Sequence, residues 1–189
     1  SKERATACIS SQIGCALGCK FCATGGMGFT RDLKANEISE QVIYINAESI
    51  KRNKIALTNI VYMGMGEPLL NYDEVKTSVI HLTDKNMLGL SSKRITLSTV
   101  GIVPGIKKLA DDRIKANLAI SLHSAVDLKR KSFMPIANKY SLSELHRAIK
   151  YYYEQTSLRV TYEYLLLQDI NDSIDDARAF ADFCKVSPC

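Results

Sequence analysis

Two hydrophobic rhythms alternate along this chain. Short β-branched runs occupy residues 6–10 (TACIS), 58–64 (TNIVYMG), 94–100 (RITLSTV), 115–123 (KANLAISLH) and 159–167 (RVTYEYLLL). Each reads as a strand, and the unbroken apolar run at 58–64 suits a buried parallel strand. Helical spacing fills the intervals. Ile38, Val42, Ile45 and Ile50 share one face of a helix over 36–50. Asn71, with Glu74 three residues on, reads as the cap of a helix over 71–85 whose stripe is Val75, Val79 and Leu82. Residues 102–111 predict a short helix. The capping box Ser141-x-x-Glu144 opens another over 141–155, with Leu145 and Ile149 on its apolar side. A last helix over 173–185 places Ile174, Ala177, Phe180, Ala181 and Cys184 in one stripe, so Cys184 reads as core.

Five strand–helix pairs in succession imply an α/β fold with a parallel sheet and right-handed crossovers. Periodicity leaves two architectures open, a doubly wound open sheet and all or part of a β/α barrel. A length of 189 residues allows one domain with a sizeable core. A hydrophobic share of 46% against 24% charged excludes a disordered chain. No apolar run is long enough for a membrane span, and SKERATACIS lacks a signal-peptide core, so a cytoplasmic protein without a membrane partner is expected. Thiols stay reduced in that compartment, which makes clustered cysteines metal ligands or redox groups rather than structural disulfides. The net charge of +5 is compatible with a nucleic-acid partner without requiring one. The basic clusters at 51–54, 107–108 and 129–131 read as solvated faces, with phosphate contact as the sharper alternative.

The chemistry concentrates at strand ends. Cys15, Cys19 and Cys22 follow the first strand as C-x3-C-x2-C, with Cys8 standing apart upstream. Three thiolates that close form a soft site for zinc or an iron–sulfur cluster. Structural zinc wants four ligands, and His81, His123 and His146 are remote in sequence. A cluster with three protein ligands leaves one iron open for a small molecule. The spacing matches neither common ferredoxin pattern. At the end of the second strand, YMGMGEPLLN presents Gly66 and Glu67 in a turn that Pro68 closes. Ser98 ends the third strand, and Ser121, Leu122 and His123 end the fourth. Any one of these is commonplace alone. Together they occupy the carboxyl ends of four successive strands, where α/β folds build their sites.

In order, the segments CISSQIGCALGCKFCATGGMGFTRDL, MGMGEPLLN, LSTVGIVPGI, SLHS, MPI and NDS resemble the RlmN/Cfr family of radical S-adenosylmethionine (SAM) RNA methyltransferases over essentially the whole chain. C-x3-C-x2-C is the signature of radical SAM enzymes, and Phe21 fits the aromatic found beside the third ligand. GEPLLN is similar to the RlmN branch, which makes 2-methyladenosine; the Cfr branch methylates C8. The resemblance implies a partial (β/α) barrel of the radical SAM type with about five β-α units, residues 1–189 forming its core domain. It implies a 4Fe–4S cluster on Cys15, Cys19 and Cys22. SAM would chelate the open iron, with Gly66, Glu67, Ser98, Ser121, Leu122 and His123 around it. One SAM would methylate a protein cysteine. A second, cleaved reductively, would give a 5′-deoxyadenosyl radical that takes hydrogen from the S-methyl group, and the resulting methylene radical would add to adenine. Cys8 would then help remove the ring proton and resolve the protein–RNA link through a disulfide.

The implied substrate is 23S rRNA, with tRNA as a further candidate. The implied electron donor is external, such as flavodoxin, and the implied state is a monomer. C2 of adenine offers no nucleophile to an ordinary methyl transfer, so the cofactor must supply radical reactivity, and the base must be presented unstacked. The family's methyl-accepting D-I-x-A-A-C-G motif, its sixth-strand K-I-N-L-I-P-x-N-like segment, its N-terminal RNA-binding domain and its glutamate before the cluster loop have no counterpart in this sequence. The expectation is therefore a catalytic core that binds cluster and SAM without methylating RNA by itself. Two alternatives remain: a radical SAM enzyme with another substrate, including adenosine C8, and a non-enzymatic iron–sulfur or zinc module.

Overall fold

The five expected strands form one parallel sheet in the computed structural model, which describes residues 4–189. In chain order the elements are β1 (Thr6–Cys8), β2 (Gln12–Gly14), α1 (Ala23–Met27), β3 (Phe29–Asp32), α2 (Ala35–Asn53), β4 (Asn59–Tyr62) and α3 (Tyr72–Thr83). They continue with β5 (Ile95–Thr99), α4 (Val103–Asp111), β6 (Asn117–Ser121), α5 (Asp127–Phe133), α6 (Leu142–Thr156), β7 (Val160–Glu163) and α7 (Ile174–Cys184). The sheet order is β1-β4-β5-β6-β7, and every neighbouring pair is parallel.

That order separates the two architectures left open by periodicity. A doubly wound sheet reverses direction at a switch point. This one never reverses; each crossover adds its strand on the same side. With right-handed connections, all crossover helices then lie on one face. The winding is that of a partial β/α barrel. The helix-covered face carries Ala7, Ile9, Ile60, Tyr62, Ile95, Leu97, Leu118, Ile120 and Val160, all buried. Pleating turns the alternate residues to the other face, where Cys8, Asn117 and Thr161 are exposed and Val61 and Thr96 half-buried. Ser98 and Ala119 on this second, concave face are buried, so among the described residues the face is only partly open. No helix among them is long and apolar enough to cross a membrane.

Several local expectations need correction. Asn71 stands at the N-cap of α3, but its side chain does not cap the helix. Its amide instead donates to the carbonyls of Ser11 and Leu33, both at 2.8 Å, tying the β1–β2 connection to the end of β3. Glu74 likewise turns away and accepts the amide of Ala35 at 2.8 Å, so it serves the start of α2. In each case a tertiary backbone donor or acceptor outcompetes the local one. Ile50 is exposed in the last turns of α2, whereas Ile38 and Val42 are fully buried. The α7 stripe is rotated: Ile174, Ala177 and Ala181 are exposed, while Phe180 and Phe183 pack edge-on against Tyr162. The larger aromatic surface wins over the small residues, and buried Asp176 fixes the rotation through a 2.6 Å pair with Lys129. The last strand stops at Glu163, four residues short of its apolar run. Helices α1 and α5 and the β2–β3 hairpin lack a clear periodic signal because each is only a turn or two long.

The Asn71 amide is the clearest single point of failure. Replacing it with alanine strands the Leu33 carbonyl and leaves the Ser11 carbonyl with only the Leu33 amide, so Asn71→Ala is expected to lose about 1–3 kcal/mol in urea denaturation. Ser141→Ala, which removes one helix cap, should lose only about 1 kcal/mol.

Candidate active site

The cysteine loop is an excursion pinned at its base by a hairpin. β2 pairs antiparallel with β3 from Gln12–Asp32 to Gly14–Phe29, and the loop runs out between them. The Cys15 amide donates to Gly28 O at 2.9 Å and the Cys22 amide to Cys19 O at 3.1 Å, curling the chain so that its thiols share one side. At the far end, the Lys20 amide donates to Phe133 O at 2.9 Å. The Phe21 ring sits edge-on to Phe133 and, with 4.8 Å between centroids, to His123. Cys19 is buried, Cys15 half-buried and Cys22 exposed. Burial first, then the neighbouring Cys15 and Cys22, pushes the Cys19 thiol up to about 11. Burial also raises Cys15. Left alone, these thiols resist ionising; a cationic metal centre reverses that preference.

Glu67 lies in the loop after β4 and is 2% exposed. Its carboxylate accepts the amides of Leu69 at 3.0 Å and Val100 at 2.9 Å, joining the loop after β4 to the loop after β5. Burial nevertheless outweighs these bonds and pushes its carboxyl up to about 7. The preceding glycines make room for the hairpin. A Cβ on Gly64 would stand 2.8 Å from the Ile9 carbonyl, and one on Gly66, at φ +94°, would meet the Gln12 side chain at 2.5 Å. Gln12 uses that space to accept the Glu67 amide at 2.9 Å while donating to Asp32 at 2.7 Å.

Arg130 is the residue sequence reasoning missed most completely. The basic run at 129–131 reads as a solvated face, yet Arg130 is only 1% exposed. Its Nε donates to Leu122 O at 3.0 Å, and its Nη2 donates to Val100 O at 2.6 Å and Ser121 O at 3.4 Å. Burial lowers its guanidinium to about 10. Lys129 pairs with Asp176, and only Lys131 points to solvent. The other two basic runs behave as surface: Arg52 pairs with Glu48 and Lys108 with Asp73.

Beyond Arg130, Ser98 and Ser121 donate their hydroxyls to the same oxygen of Glu163, at 3.2 and 2.9 Å. Sequence gave Glu163 no signal, because it is one acidic residue at a strand end. His123 takes the left-handed conformation at φ +56°, uncommon for a side chain of its size. It is held there by its amide on Glu163 O, by Leu165 donating to its Nδ1 at 3.1 Å, and by the Asn171 amide on its carbonyl. Burial, with Arg130 adding to it, lowers the imidazole to about 4, so it stays neutral. The NDS segment thus has a mechanical role: Asn171 fastens the loop after β7 to the end of β6, and Ser173 caps α7.

These parts close around one cavity of about 270 Å³ at the carboxyl rim of the sheet. Cys15, Cys19, Cys22, Gly66, Glu67, Ser98, Ser121 and His123 all line it, with Phe21, Thr99 and Glu163. Leu122 does not; its side chain is fully buried in the core, and only its main chain serves the rim. Cys8 is also outside the lining, exposed on the concave face of β1. The disulfide implied for Cys8 is corrected: all six cysteines are free thiols, and Cys8 has no sulfur partner on its strand edge. Among the described residues, no three His, Cys, Asp or Glu side chains converge on a single ion position. Three thiols spread along a cavity wall fit a polynuclear cluster, and hydroxyls, carboxylates and open backbone beside it fit a polar, zwitterionic small molecule.

The Radical SAM superfamily model matches residues 9–183. The chain is 49% identical over its full length to a protein of Christiangramia forsetii described as "Probable dual-specificity RNA methyltransferase RlmN". It is 52% identical to the protein of the same description from Chlorobaculum tepidum. It spans 54% and 51% of those two proteins, about half the length of the curated relatives it matches. Among solved structures, a radical SAM methyltransferase from Sphaerobacter thermophilus superposes with a TM-score of 0.92 at 42% identity, over 97% of this chain and 53% of that one. Streptococcus suis SuiB, solved with S-adenosylmethionine, shares the fold at 16% identity, with a TM-score of 0.64 over 96% of this chain and 38% of that one.

The buried Glu67 carboxyl gives the site a pH signature. With its value raised from 4.5 to about 7 in the folded state, its full contribution is present below pH 4.5. As pH rises through about 7, the unfolded chain ionises first and stability is lost. Urea denaturation of the cofactor-free chain should therefore show wild type weakening against Glu67→Gln across this window, by of order 3 kcal/mol. A flat difference would mean that Glu67 is ionised throughout.

Proposed function

The chain belongs to the radical SAM superfamily, and from that premise we propose that it is the cluster- and SAM-binding core of an RNA adenosine methyltransferase of the RlmN type. The observation that carries this reading is the single cavity shared by the three cysteine thiols and the ends of β4, β5 and β6. Cys15, Cys19 and Cys22 hold a 4Fe–4S cluster. Gly66, Glu67, Ser98, Ser121 and His123 hold SAM, and Leu122 contributes through its main chain. When bound, this pair supplies low-potential electron transfer and radical chemistry.

The chain's own residues orient and insulate that chemistry. Glu67 and Arg130 fix the loops by bonding their backbones. Glu163 orders the two serine hydroxyls at the cavity wall. Phe21 and Phe133 close the side beneath the cysteine loop. Neutral His123 offers a hydrogen-bonding ring without a charge. Cys8 Sγ, on the concave face, takes the proton from the modified adenine ring.

The substrate is adenosine in 23S rRNA, modified at C2, and tRNA is a second substrate. The description of the relatives as dual-specificity RNA methyltransferases supports this, and so does the GEPLLN sequence. A reduced flavodoxin-class donor supplies the electron. The place of action is the cytoplasm, and the working unit is one copy.

Anaerobic reconstitution followed by electron paramagnetic resonance tests the core. The reduced chain is expected to give a 4Fe–4S signal that changes when SAM is added. Cys15→Ala, Cys19→Ala and Cys22→Ala should each abolish it, and Cys8→Ala should leave it intact. Bound zinc, or a cluster signal indifferent to SAM, would overturn the assignment. The substrate is tested in cells: 23S rRNA from a strain lacking the gene should have lost 2-methyladenosine by nucleoside mass spectrometry. Its retention would move the reading to another RNA position.

A further inference from the structure

A buried positive charge sits beside the cysteine loop with no negative partner in contact. Arg130 is 1% exposed, and every hydrogen bond it makes goes to a main-chain carbonyl: Val100, Ser121 or Leu122. Among the described residues, no carboxylate is in salt-bridge contact with it. Carbonyl dipoles solvate a cation but do not neutralise it, and an unpaired buried charge is among the costliest features a fold can carry. Neutral glutamine could clamp carbonyls at less cost. A fixed charge kept at this depth calls for an anionic neighbour.

The geometry indicates which one. Helix α5, which carries Arg130, docks directly under the cysteine loop through the Lys20 amide on Phe133 O and the edge-on Phe21–Phe133 contact. Cys19 is the deepest thiol of that loop. Two groups favour its charge: Cys19, once its thiol is ionised, and Asp127, whose carboxylate makes no bond to Arg130 and accepts the Leu142 amide at 3.1 Å. Glu67 is not its partner. The two are linked only through Val100, whose amide faces Glu67 and whose carbonyl faces Arg130.

We propose that Arg130 is a positioning residue whose buried guanidinium supplies the counter-charge for the cluster on Cys15, Cys19 and Cys22, favouring its reduced form. This rests on the function proposed above. A low-potential one-electron donor adds one electron to the cluster, and thus one negative charge; no bond at Arg130 forms or breaks. A cation fixed nearby in a medium of low dielectric favours the more negative state. Arg130 thereby raises the potential at which the cluster accepts its electron, as well as tying β5 to β6.

The test is a redox titration of the reconstituted full chain, followed by paramagnetic resonance, in wild type and in Arg130→Lys, Arg130→Gln and Arg130→Met. Lysine keeps the charge, glutamine keeps a hydrogen-bond donor, and methionine keeps neither. Wild type and Arg130→Lys should titrate together. In Arg130→Gln and Arg130→Met, the reduced-to-oxidised ratio at fixed poise should fall about tenfold, a shift of ~59 mV for a one-electron couple. Iron content and the SAM-induced spectral change, read on the same samples, separate this proposal from its premise. An unchanged potential in Arg130→Gln, with full iron and an intact SAM response, overturns the counter-charge and leaves the radical SAM reading standing. Equal losses in the lysine and glutamine variants also overturn it, since they would make Arg130 a carbonyl clamp alone. A wild-type chain that takes up no cluster overturns both. Should Arg130→Met fail to fold, the lysine–glutamine pair decides.

Discussion

Val100 gives its amide to a buried carboxylate and its carbonyl to a buried guanidinium, and the loops after β4, β5 and β6 meet at that residue's main chain. Loops that leave a parallel sheet carry backbone groups with no ladder to join, and a buried site denies them water. This chain answers with buried polar side chains. Glu67 joins the loops after β4 and β5, Arg130 those after β5 and β6, and Asn171 those after β6 and β7. Gln12 and Asn71 do the same for the hairpin under the cysteines. Each clamp spans two adjacent strands, so the rim is held as a chain of pairwise links rather than by one central bond.

The clamps work because the sheet is wound in one direction. Since every crossover adds its strand on the same side, successive strands are also spatial neighbours, and a side chain leaving one loop needs to reach only the next. The same winding leaves the carboxyl ends of β4, β5 and β6 side by side, where Glu67, Ser98 and Ser121 enter one cavity. Rigidity and chemistry thus share residues. Glu67 bonds two loops and also lines the cavity; Glu163 orders two serines and also forms its wall.

Most of this architecture was legible from the alternation of β-branched runs and helical stripes, because burying one sheet face imposes that pattern on the sequence. The cysteine spacing and the strand-end residues also led to the cavity, since chemistry constrains local order as strictly as packing does. What remained hidden was tertiary. Arg130 sits between two lysines, and nothing in KRK says that its middle residue faces inward while its neighbours find Asp176 and solvent. Asn71 and Glu74 look like a helix cap because the local pattern is correct; the carbonyls of Ser11 and Leu33, distant in sequence, outbid it. Leu122 lay between two cavity residues, and the pleat turned it into the core. In α7, spacing identified an apolar stripe but not which of two overlapping faces would be chosen.

The pleat also fixes where Cys8 stands. Its neighbours across the sheet are Val61, Thr96 and Asn117, one inward-facing row below Met63 and Ser98, which floor the cavity. Two residues of strand separate these rows, about 7 Å. The molecule therefore has two addresses on one wall. The rim is reached from above, past the cysteine loop. The thiol is reached from the side, at the exposed edge strand of the sheet, so the two can be met independently.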